Sequence, residues 1–247
     1  MKKQEIEGDS MTMSSVKRFL FQGDSITDGG RGRTEDPNHI LGHSYAFLIG
    51  SRLAADFPEL GLEFINRGVG GDSHVEMAAR WQEDTLNLHP DVLSILIGVN
   101  GSRQACGIPR PWDNKPDCGN RQSPEVYEET LRKIIGEAKE QNPELLLVLC
   151  LPFRFPSASF TEEENAMIVA MVQKRAGIIR KLAAEFNAVL VDFPGALERA
   201  IRRKDPAEYW SWDGVHVTFA GSEILAREWM RTVAPHVSFL KGYKYSN

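Results

Sequence analysis

The chain has 247 residues and a formal net charge of −5 at pH 7, with 42% hydrophobic and 26% charged residues. This composition is typical of a globular protein and excludes a disordered chain. The mildly acidic balance argues against nucleic acid or an anionic membrane surface as a partner. The longest apolar run, residues 145–153, contains a proline and is far shorter than the roughly 20 residues that span a bilayer.

The first 15 residues are polar and contain several methionines, and we expect them to form a flexible N-terminal leader ahead of a single domain over residues 16–247. This segment lacks the apolar core of a signal peptide. The three cysteines are too few for a disulfide framework. Both features predict a cytoplasmic protein, in which Cys106 and Cys118 stay as free thiols and Cys150 is a buried apolar residue.

Short apolar stretches alternate with longer amphipathic ones along the chain. Strands are predicted over residues 18–22, 62–66, 91–97, 144–151 and 188–192, and helices over residues 44–57, 74–88, 123–141, 161–186 and 218–233. Strands that are nearly all apolar and alternate with helices indicate a parallel sheet covered on both faces. The prediction is an α/β fold with a doubly wound, five-stranded parallel sheet, and with an elaborated loop over residues 101–122. In such sheets, sites form beyond the carboxyl ends of the strands.

The first predicted strand runs into a Gly-Asp-Ser tripeptide that ends at Ser25. A serine at a strand-to-helix junction is a candidate nucleophile if a base lies within reach. The alternative is an N-cap of the following helix, a position that serine and aspartate favour. The same tripeptide occurs at residues 8–10, but no apolar strand precedes that copy and we set it aside.

Near the other end of the chain, Asp213 lies three residues before His216, just ahead of the last predicted helix. An aspartate so placed can hold an imidazole in the tautomer that accepts a serine proton, and it stabilises the imidazolium that forms. For want of such an aspartate, the other five histidines are interpreted as surface or packing residues.

Two further strand ends carry groups that suit a developing oxyanion. The loop after the second predicted strand contains Gly70 and Gly71, whose lack of a side chain lets a backbone N–H approach a ligand closely. Asn100 follows the third predicted strand, and its side-chain amide can donate. The alternatives are a plain tight turn for the glycine loop and an ordinary turn residue for Asn100.

Taken together, these segments resemble the SGNH, or GDSL-type, hydrolases. The four blocks are GDSITD at residues 23–28, GVGGDS at 68–73, IGVN at 97–100 and DGVH at 213–216. The resemblance covers residues 17–235 and implies a three-layer α/β/α, flavodoxin-like fold. It implies a catalytic triad of Ser25, Asp213 and His216, and an oxyanion hole made by the N–H groups of Ser25 and Gly71 and the side chain of Asn100.

One position departs from the pattern, because family members usually carry an aspartate where this chain has Gly101. We therefore expect Asn100 to be held less firmly than usual. Within the family, residues 23–33, 78–84 and 212–216 are similar to acetyl-xylooligosaccharide esterases. This similarity implies a serine esterase that removes short acyl groups, above all acetyl, from oligosaccharides, without a cofactor or metal, and it is compatible with a homo-oligomer. Asp24 and Trp212 are expected to contact the substrate.

Other functions remain open at this point. A broader acylhydrolase of the lysophospholipase or thioesterase type would use the same residues. A nucleotide-binding module is disfavoured because Ser73 stands where the dinucleotide fingerprint requires its third glycine. A sugar-binding protein without activity is supported only by the glycine at position 101. A metalloesterase would need clustered histidine and carboxylate ligands, and no such spacing occurs in the sequence.

Overall fold

The structure is a computed structural model and describes residues 16–34, 36–108, 119–204 and 206–244. The predicted leader at residues 1–15 and residues 109–118 of the loop after the third strand, which include Cys118, lie outside the described residues. The described part contains one parallel sheet with the strand order β2-β1-β3-β4-β5. Its strands are β1 (Arg18–Gly23), β2 (Glu63–Asn66), β3 (Val92–Leu96), β4 (Leu146–Cys150) and β5 (Val189–Val191).

Helices cover both faces of this sheet. They are α1 (Ser25–Asp28), α2 (Tyr45–Asp56), α3 (His74–Ala79), α4 (Trp81–Asp84), α5 (Ser102–Ala105), α6 (Pro124–Gln141), α7 (Glu162–Glu185), α8 (Phe193–Ile201) and α9 (Phe219–Val233). No helix in the described ranges combines the length and the apolar character needed to cross a bilayer.

The alternation of side chains along the strands divides the core into two clusters. Successive residues of a strand point to opposite faces, so Phe19 and Phe21 pack with α2, α8 and α9. Leu20 packs on the other face with α3, α6 and α7. Since both faces of each central strand are buried, the strands read as continuous apolar runs. The predicted three-layer fold is confirmed.

The strand predictions agree with the structure to within one or two residues at each end. The helix predicted over residues 74–88 is wrong as one piece, because it breaks at Arg80 into α3, α4 and a 3₁₀ turn, Leu86–Leu88. The Arg80 guanidinium donates to the side chain of Asp72 at 2.8 Å and to that of Gln22 at 3.0 Å. These contacts tie Arg80 to the carboxyl end of β1 and hold it at φ −107°, ψ 11°, outside the regular helix.

The sequence prediction does not contain helix α8, because the segment between the fifth predicted strand and the last predicted helix is interpreted as a loop. Its start carries two ordinary signals. The Asp192 side chain caps the helix by accepting from the Gly195 N–H at 3.2 Å, and Pro194 lies in the first turn. The loop after β3 also contains α5 and a 3₁₀ turn, Gly119–Gln122. Cys106 and Cys150 are free thiols, and Cys150 is buried as predicted.

Candidate active site

Ser25 lies where β1 turns into the short helix α1. The turn requires glycine at position 23, because a Cβ there would overlap the carbonyl oxygen of Leu96 on the neighbouring strand. The N-cap of α1 is Asp24, whose carboxylate accepts from the Ile26 N–H at 3.0 Å. The capping role proposed as the alternative for Ser25 therefore falls to Asp24, and the Ser25 hydroxyl lines a cleft at the strand ends.

Asp213 and His216 lie on a loop closed by an antiparallel bridge between Ser211 and Val217. One carboxylate oxygen of Asp213 accepts from the backbone N–H groups of Val215 at 2.9 Å and His216 at 2.7 Å. The other oxygen lies 2.6 Å from Nδ1 of the His216 ring. Local backbone hydrogen bonds thus fix the carboxylate beside the imidazole.

The Ser25 hydroxyl oxygen lies 2.8 Å from Nε2 of His216. Partial burial raises the pKa of Asp213, but the hydrogen bonds from the His216 ring and from two backbone N–H groups outweigh it and lower that pKa to about 2. An ionised carboxylate only accepts, so the ring carries its proton on Nδ1. In the neutral imidazole Nε2 is then an acceptor, and Ser25 donates to it.

The glycine loop after β2 lies next to Ser25. Gly71 adopts φ 85° in the left-handed region that favours glycine. The loop is anchored one residue earlier, where the Gly70 N–H donates to the Asp28 carboxylate at 2.9 Å. Gly70 and Gly71 both line the cleft with Ser25.

Asn100 connects the loop after β3 to this glycine loop. Its side-chain amide donates to the backbone carbonyl of Asp72 at 3.0 Å. An amide nitrogen carries two hydrogens, and this bond uses one of them. The backbone carbonyl of Asn100 accepts a hydrogen bond from the Arg175 guanidinium at 2.7 Å. Both the side chain and the backbone of Asn100 are therefore hydrogen-bonded, although position 101 carries a glycine.

These groups surround a cleft of about 400 Å³, a size suited to a small ligand. The cleft is lined by Ser25, Gly70, Gly71, Val99, Asn100, Arg154, Ser157, Ser159, Phe160, Asp213, Val215 and His216.

The part of this lining that follows β4 was not predicted from the sequence. The Phe155 N–H donates to the Gly214 carbonyl at 2.8 Å, which joins this segment to the Asp213 loop. The Arg154 guanidinium stacks over the Phe160 ring at 5.1 Å. The available signal was positional, because these residues come directly after the carboxyl end of a central strand.

Neither of the two residues expected to contact substrate is among the residues that line the cleft, and the two have different surroundings. Asp24 is 1% exposed and does not line the cleft. Burial raises the pKa of its carboxyl to about 7, despite the hydrogen bond from the Ile26 N–H. Trp212 is 66% exposed and stacks on the His216 ring, with centroids 6.0 Å apart and planes at 21°. One face of the indole is turned towards the imidazole, and its other face is exposed.

One of the other five histidines differs from the expectation that none has an aspartate three residues before it. His74 is buried and packs against Tyr127, as a packing residue should. His39, however, does have an aspartate three residues ahead, and its Nδ1 lies 2.6 Å from the Asp36 carboxylate. This second pair is exposed and does not line the cleft around Ser25. The spacing alone therefore does not single out Asp213 and His216; their distance to Ser25 does.

Among the described residues, no group of three or more His, Cys, Asp or Glu side chains is placed to hold a metal ion.

Comparison with known proteins identifies the family of the chain. Residues 21–224 match the model of the GDSL-like lipase/acylhydrolase family. The chain belongs to this family, as the sequence blocks predicted, and it is a carboxylic ester hydrolase.

The similar proteins include an acetylxylan esterase and several solved structures. The chain is 32% identical over 225 residues to an acetylxylan esterase of Geobacillus stearothermophilus, covering 90% of this chain and 96% of that protein. The crystal structure of that organism's acetylxylan esterase Axe2 has a TM-score of 0.74 at 27% identity, covering 96% of this chain and 99% of Axe2. A protein of Parabacteroides merdae described as a GDSL-like lipase has a TM-score of 0.77 at 33% identity, covering 88% and 95% of the two chains. Axe2 structures also include catalytic mutants in which an aspartate or a serine is replaced by alanine.

Proposed function

We propose that the chain hydrolyses acetyl esters of carbohydrates through an acyl-enzyme formed on Ser25. The observation that carries this proposal is the pair of contacts on His216, at 2.8 Å to the Ser25 hydroxyl and at 2.6 Å to the Asp213 carboxylate. Serine next to a base that is itself oriented by a carboxylate is the arrangement of an activated nucleophile.

Acylation begins when the Ser25 oxygen attacks the ester carbonyl while Nε2 of His216 takes the hydroxyl proton. The ionised Asp213 stabilises the imidazolium that results. The tetrahedral intermediate collapses with transfer of that proton to the leaving alcohol oxygen, which breaks the ester bond. In the second half, His216 takes a proton from a water molecule, whose oxygen attacks the acyl-serine carbonyl. The acyl–oxygen bond to Ser25 then breaks as His216 returns the proton to the Ser25 oxygen, which releases the acid and restores the enzyme.

The negative charge on the tetrahedral oxygen needs donors that are already in place. We assign this role to the N–H groups of Ser25 and Gly71 and to the Asn100 amide. The support is that all three residues line the same cleft, and that the Asn100 amide is bonded to the glycine loop at Asp72. Asp24 has no direct role in this proposal, because its buried carboxylate caps α1.

A carbohydrate acetate is the substrate class that these surroundings suit. Beside the apolar Val99, Val215 and Phe160, the cleft presents the polar side chains of Ser157, Ser159 and Arg154. Such groups can hydrogen-bond the hydroxyls of a sugar, whereas a long alkyl chain offers them no hydrogen-bonding atoms. The exposed face of Trp212 beside His216 offers an aromatic surface for a sugar ring. The 32% identity to an acetylxylan esterase supports the same substrate class.

The nucleophile is tested by Ser25→Ala, with Ser10→Ala as the matched control in the other Gly-Asp-Ser tripeptide. Turnover of 4-nitrophenyl acetate should be abolished in the first variant and unchanged in the second. An organophosphate should add one covalent label, located on Ser25 by peptide mass spectrometry. Undiminished turnover in Ser25→Ala, or a label on Ser10, contradicts the proposal.

The substrate class is tested with 4-nitrophenyl acetate, 4-nitrophenyl octanoate and acetylated xylo-oligosaccharides. We expect kcat/KM to be far higher for acetate than for octanoate, because an octanoyl chain that does not fit loses its geometry for attack. Acetate release from the oligosaccharides should be more efficient than from unrelated alkyl acetates. Equal or faster hydrolysis of the octanoate ester would favour a broader lysophospholipase-like or thioesterase-like acylhydrolase.

A further inference from the structure

Arg175, in the middle of α7, has a fully buried side chain with 0% exposure. Burying a guanidinium is expensive unless its charge is compensated. Among the residues that the structure describes, no carboxylate forms an ion pair with Arg175; its polar contacts are with neutral oxygens. The guanidinium also lies over the Tyr127 ring, 5.1 Å from its centroid, so hydrogen bonds to neutral oxygens and an aromatic face hold this buried charge.

The oxygens that Arg175 contacts belong to the loop that carries Asn100. One terminal nitrogen of the guanidinium donates to the carbonyl of Asn100 at 2.7 Å and to that of Gly98 at 3.0 Å. It also lies 3.1 Å from the Ser102 hydroxyl oxygen. The carbonyls at both ends of the turn that presents the Asn100 side chain are therefore bonded to one rigid group.

The second terminal nitrogen of Arg175 donates to the backbone carbonyl of Gln122 at 2.7 Å. The side chain of Gln122 is 3% exposed, and its amide donates to the Ser73 hydroxyl at 2.9 Å. Ser73 directly follows the glycine loop and caps α3. Arg175 and Gln122 thus connect the loop of Asn100 to the loop of Gly71, which are two of the three segments that carry candidate oxyanion donors.

The glycine at position 101 makes this arrangement feasible. Gly101 has φ 76°, and a Cβ there would overlap the side-chain amide of Gln122. Gln122 therefore occupies the space that a side chain at position 101 would need. The support of Asn100 comes from α7 and from residue 122 instead of from its own neighbour in the chain.

We propose that Arg175 is a positioning residue for the esterase reaction, and that it acts through Asn100 by fixing the loop that aims the Asn100 amide at the oxyanion. The inference rests on the proposed function, since it requires Asn100 to donate in the transition state. A guanidinium suits the task because its planar fork reaches two separate loops, whereas a lysine ammonium is a single point of charge.

The test is a double-mutant cycle of Arg175→Met and Asn100→Ala, with kcat and KM measured on 4-nitrophenyl acetate. Removal of one oxyanion donor typically lowers kcat by about 10²–10³-fold. We expect Asn100→Ala to show a loss of this size, and Arg175→Met to lower kcat by about 10²-fold with KM changed by less than about threefold. If Arg175 acts through Asn100, the double variant should be no more than about threefold slower than Asn100→Ala.

Arg175→Lys is the conservative variant, because it keeps the charge and most of the stem. We expect it to fold, which a melting curve checks, and to have a kcat between those of Arg175→Met and the wild type. Glu228→Gln is the matched control, since it also removes a buried charge, but on α9, where Glu228 pairs with Arg199 and Arg231. Its melting temperature should fall while its kcat stays within about twofold of wild type.

The inference is overturned if both Arg175 variants keep the wild-type kcat, or if the effects of Arg175→Met and Asn100→Ala multiply in the double variant. Failure of both Arg175 variants to fold also overturns it, because the residue would then serve stability alone. These outcomes leave the serine mechanism intact as long as Ser25→Ala is inactive. Activity that survives Ser25→Ala instead overturns the proposed function.

Discussion

The Asp28 carboxylate accepts a hydrogen bond of 2.9 Å from the backbone N–H of Gly70, so the turn after β1 directly holds the loop after β2. The two segments are in close contact, since a Cβ on Gly68 would overlap the backbone nitrogen of Asp28. Asp28 also forms an ion pair of 2.8 Å with Arg33 at the surface. The position of Gly71 relative to Ser25 therefore depends on Asp28.

Replacing Asp28 by alanine removes this anchor, and we expect kcat on 4-nitrophenyl acetate to fall by about tenfold. This loss is smaller than the roughly 10²–10³-fold effect of deleting a donor outright, because the loop is displaced and not removed. Arg33→Ala is the control, since it removes only the half-exposed partner of the ion pair and should change kcat by less than about twofold. Equal losses in both variants would show that the ion pair, and not the Gly70 hydrogen bond, matters.

Replacing Asp213 by asparagine should lower kcat by about 10⁴-fold, because asparagine favours the wrong tautomer of His216. The chain contains its own control in the exposed pair of Asp36 and His39, which has the same spacing and a similar contact of 2.6 Å. Asp36→Asn should leave kcat unchanged. Steady-state kinetics on 4-nitrophenyl acetate decide the point, and a comparable loss in Asp36→Asn would contradict the assignment.

The raised pKa of Asp24 predicts how the free energy of unfolding of the protein depends on pH. Its pKa is about 7 in the folded protein and 3.8 as the reference value, so between these values the folded state binds more protons than the unfolded state. The contribution of Asp24 to the free energy of unfolding should therefore fall as pH rises from about 4 to 7 and stay low above pH 7. Asp24→Asn keeps a capping side chain but cannot ionise.

Melting temperatures of wild type and Asp24→Asn, measured from pH 4.5 to 8, check this prediction. The variant should gain in stability relative to wild type as pH rises, because ionisation of the buried carboxyl destabilises only the wild type. Groups shared by both proteins cancel in the difference. A difference that is constant with pH, or one that shrinks as pH rises, would rule out a buried carboxyl of raised pKa.

Trp212 should affect substrates that carry a sugar more than those that do not. Loss of an aromatic contact costs about 0.5–1.5 kcal/mol, which is about a 2- to 13-fold effect. We expect Trp212→Ala to lower kcat/KM on acetylated xylo-oligosaccharides by an amount at the upper end of this range, about tenfold. The effect on 4-nitrophenyl acetate should be within about threefold. Phe219→Ala is the control, since Phe219 is also an exposed aromatic residue outside the cleft lining, whereas the ring that stacks on His216 is that of Trp212. A loss of equal size on both substrates would assign Trp212 to the support of His216 alone.

Some features of the fold are encoded locally and were therefore predictable. The alternation of Phe19, Leu20 and Phe21 between two faces follows from the geometry of one strand. The N-terminus of α7 follows from Thr161 and Glu164, which form a capping box. The helix break at Arg80 was not predictable, because it depends on hydrogen bonds to Gln22, 58 residues away.

The sequence by itself determined the parallel sheet and the family of the chain. It also placed Ser25, Gly71, Asn100 and the Asp213–His216 pair at the same edge of the sheet, because parallel strands present all their carboxyl ends on one side. Only the tertiary structure distinguished His216 from His39, placed Asp24 outside the cleft and Arg154 in its lining, and connected Arg175 to the loop of Asn100. The reason is physical: these distinctions depend on burial and on contacts between distant residues, such as the 77 residues that separate Arg175 from Gly98, and no local pattern encodes them.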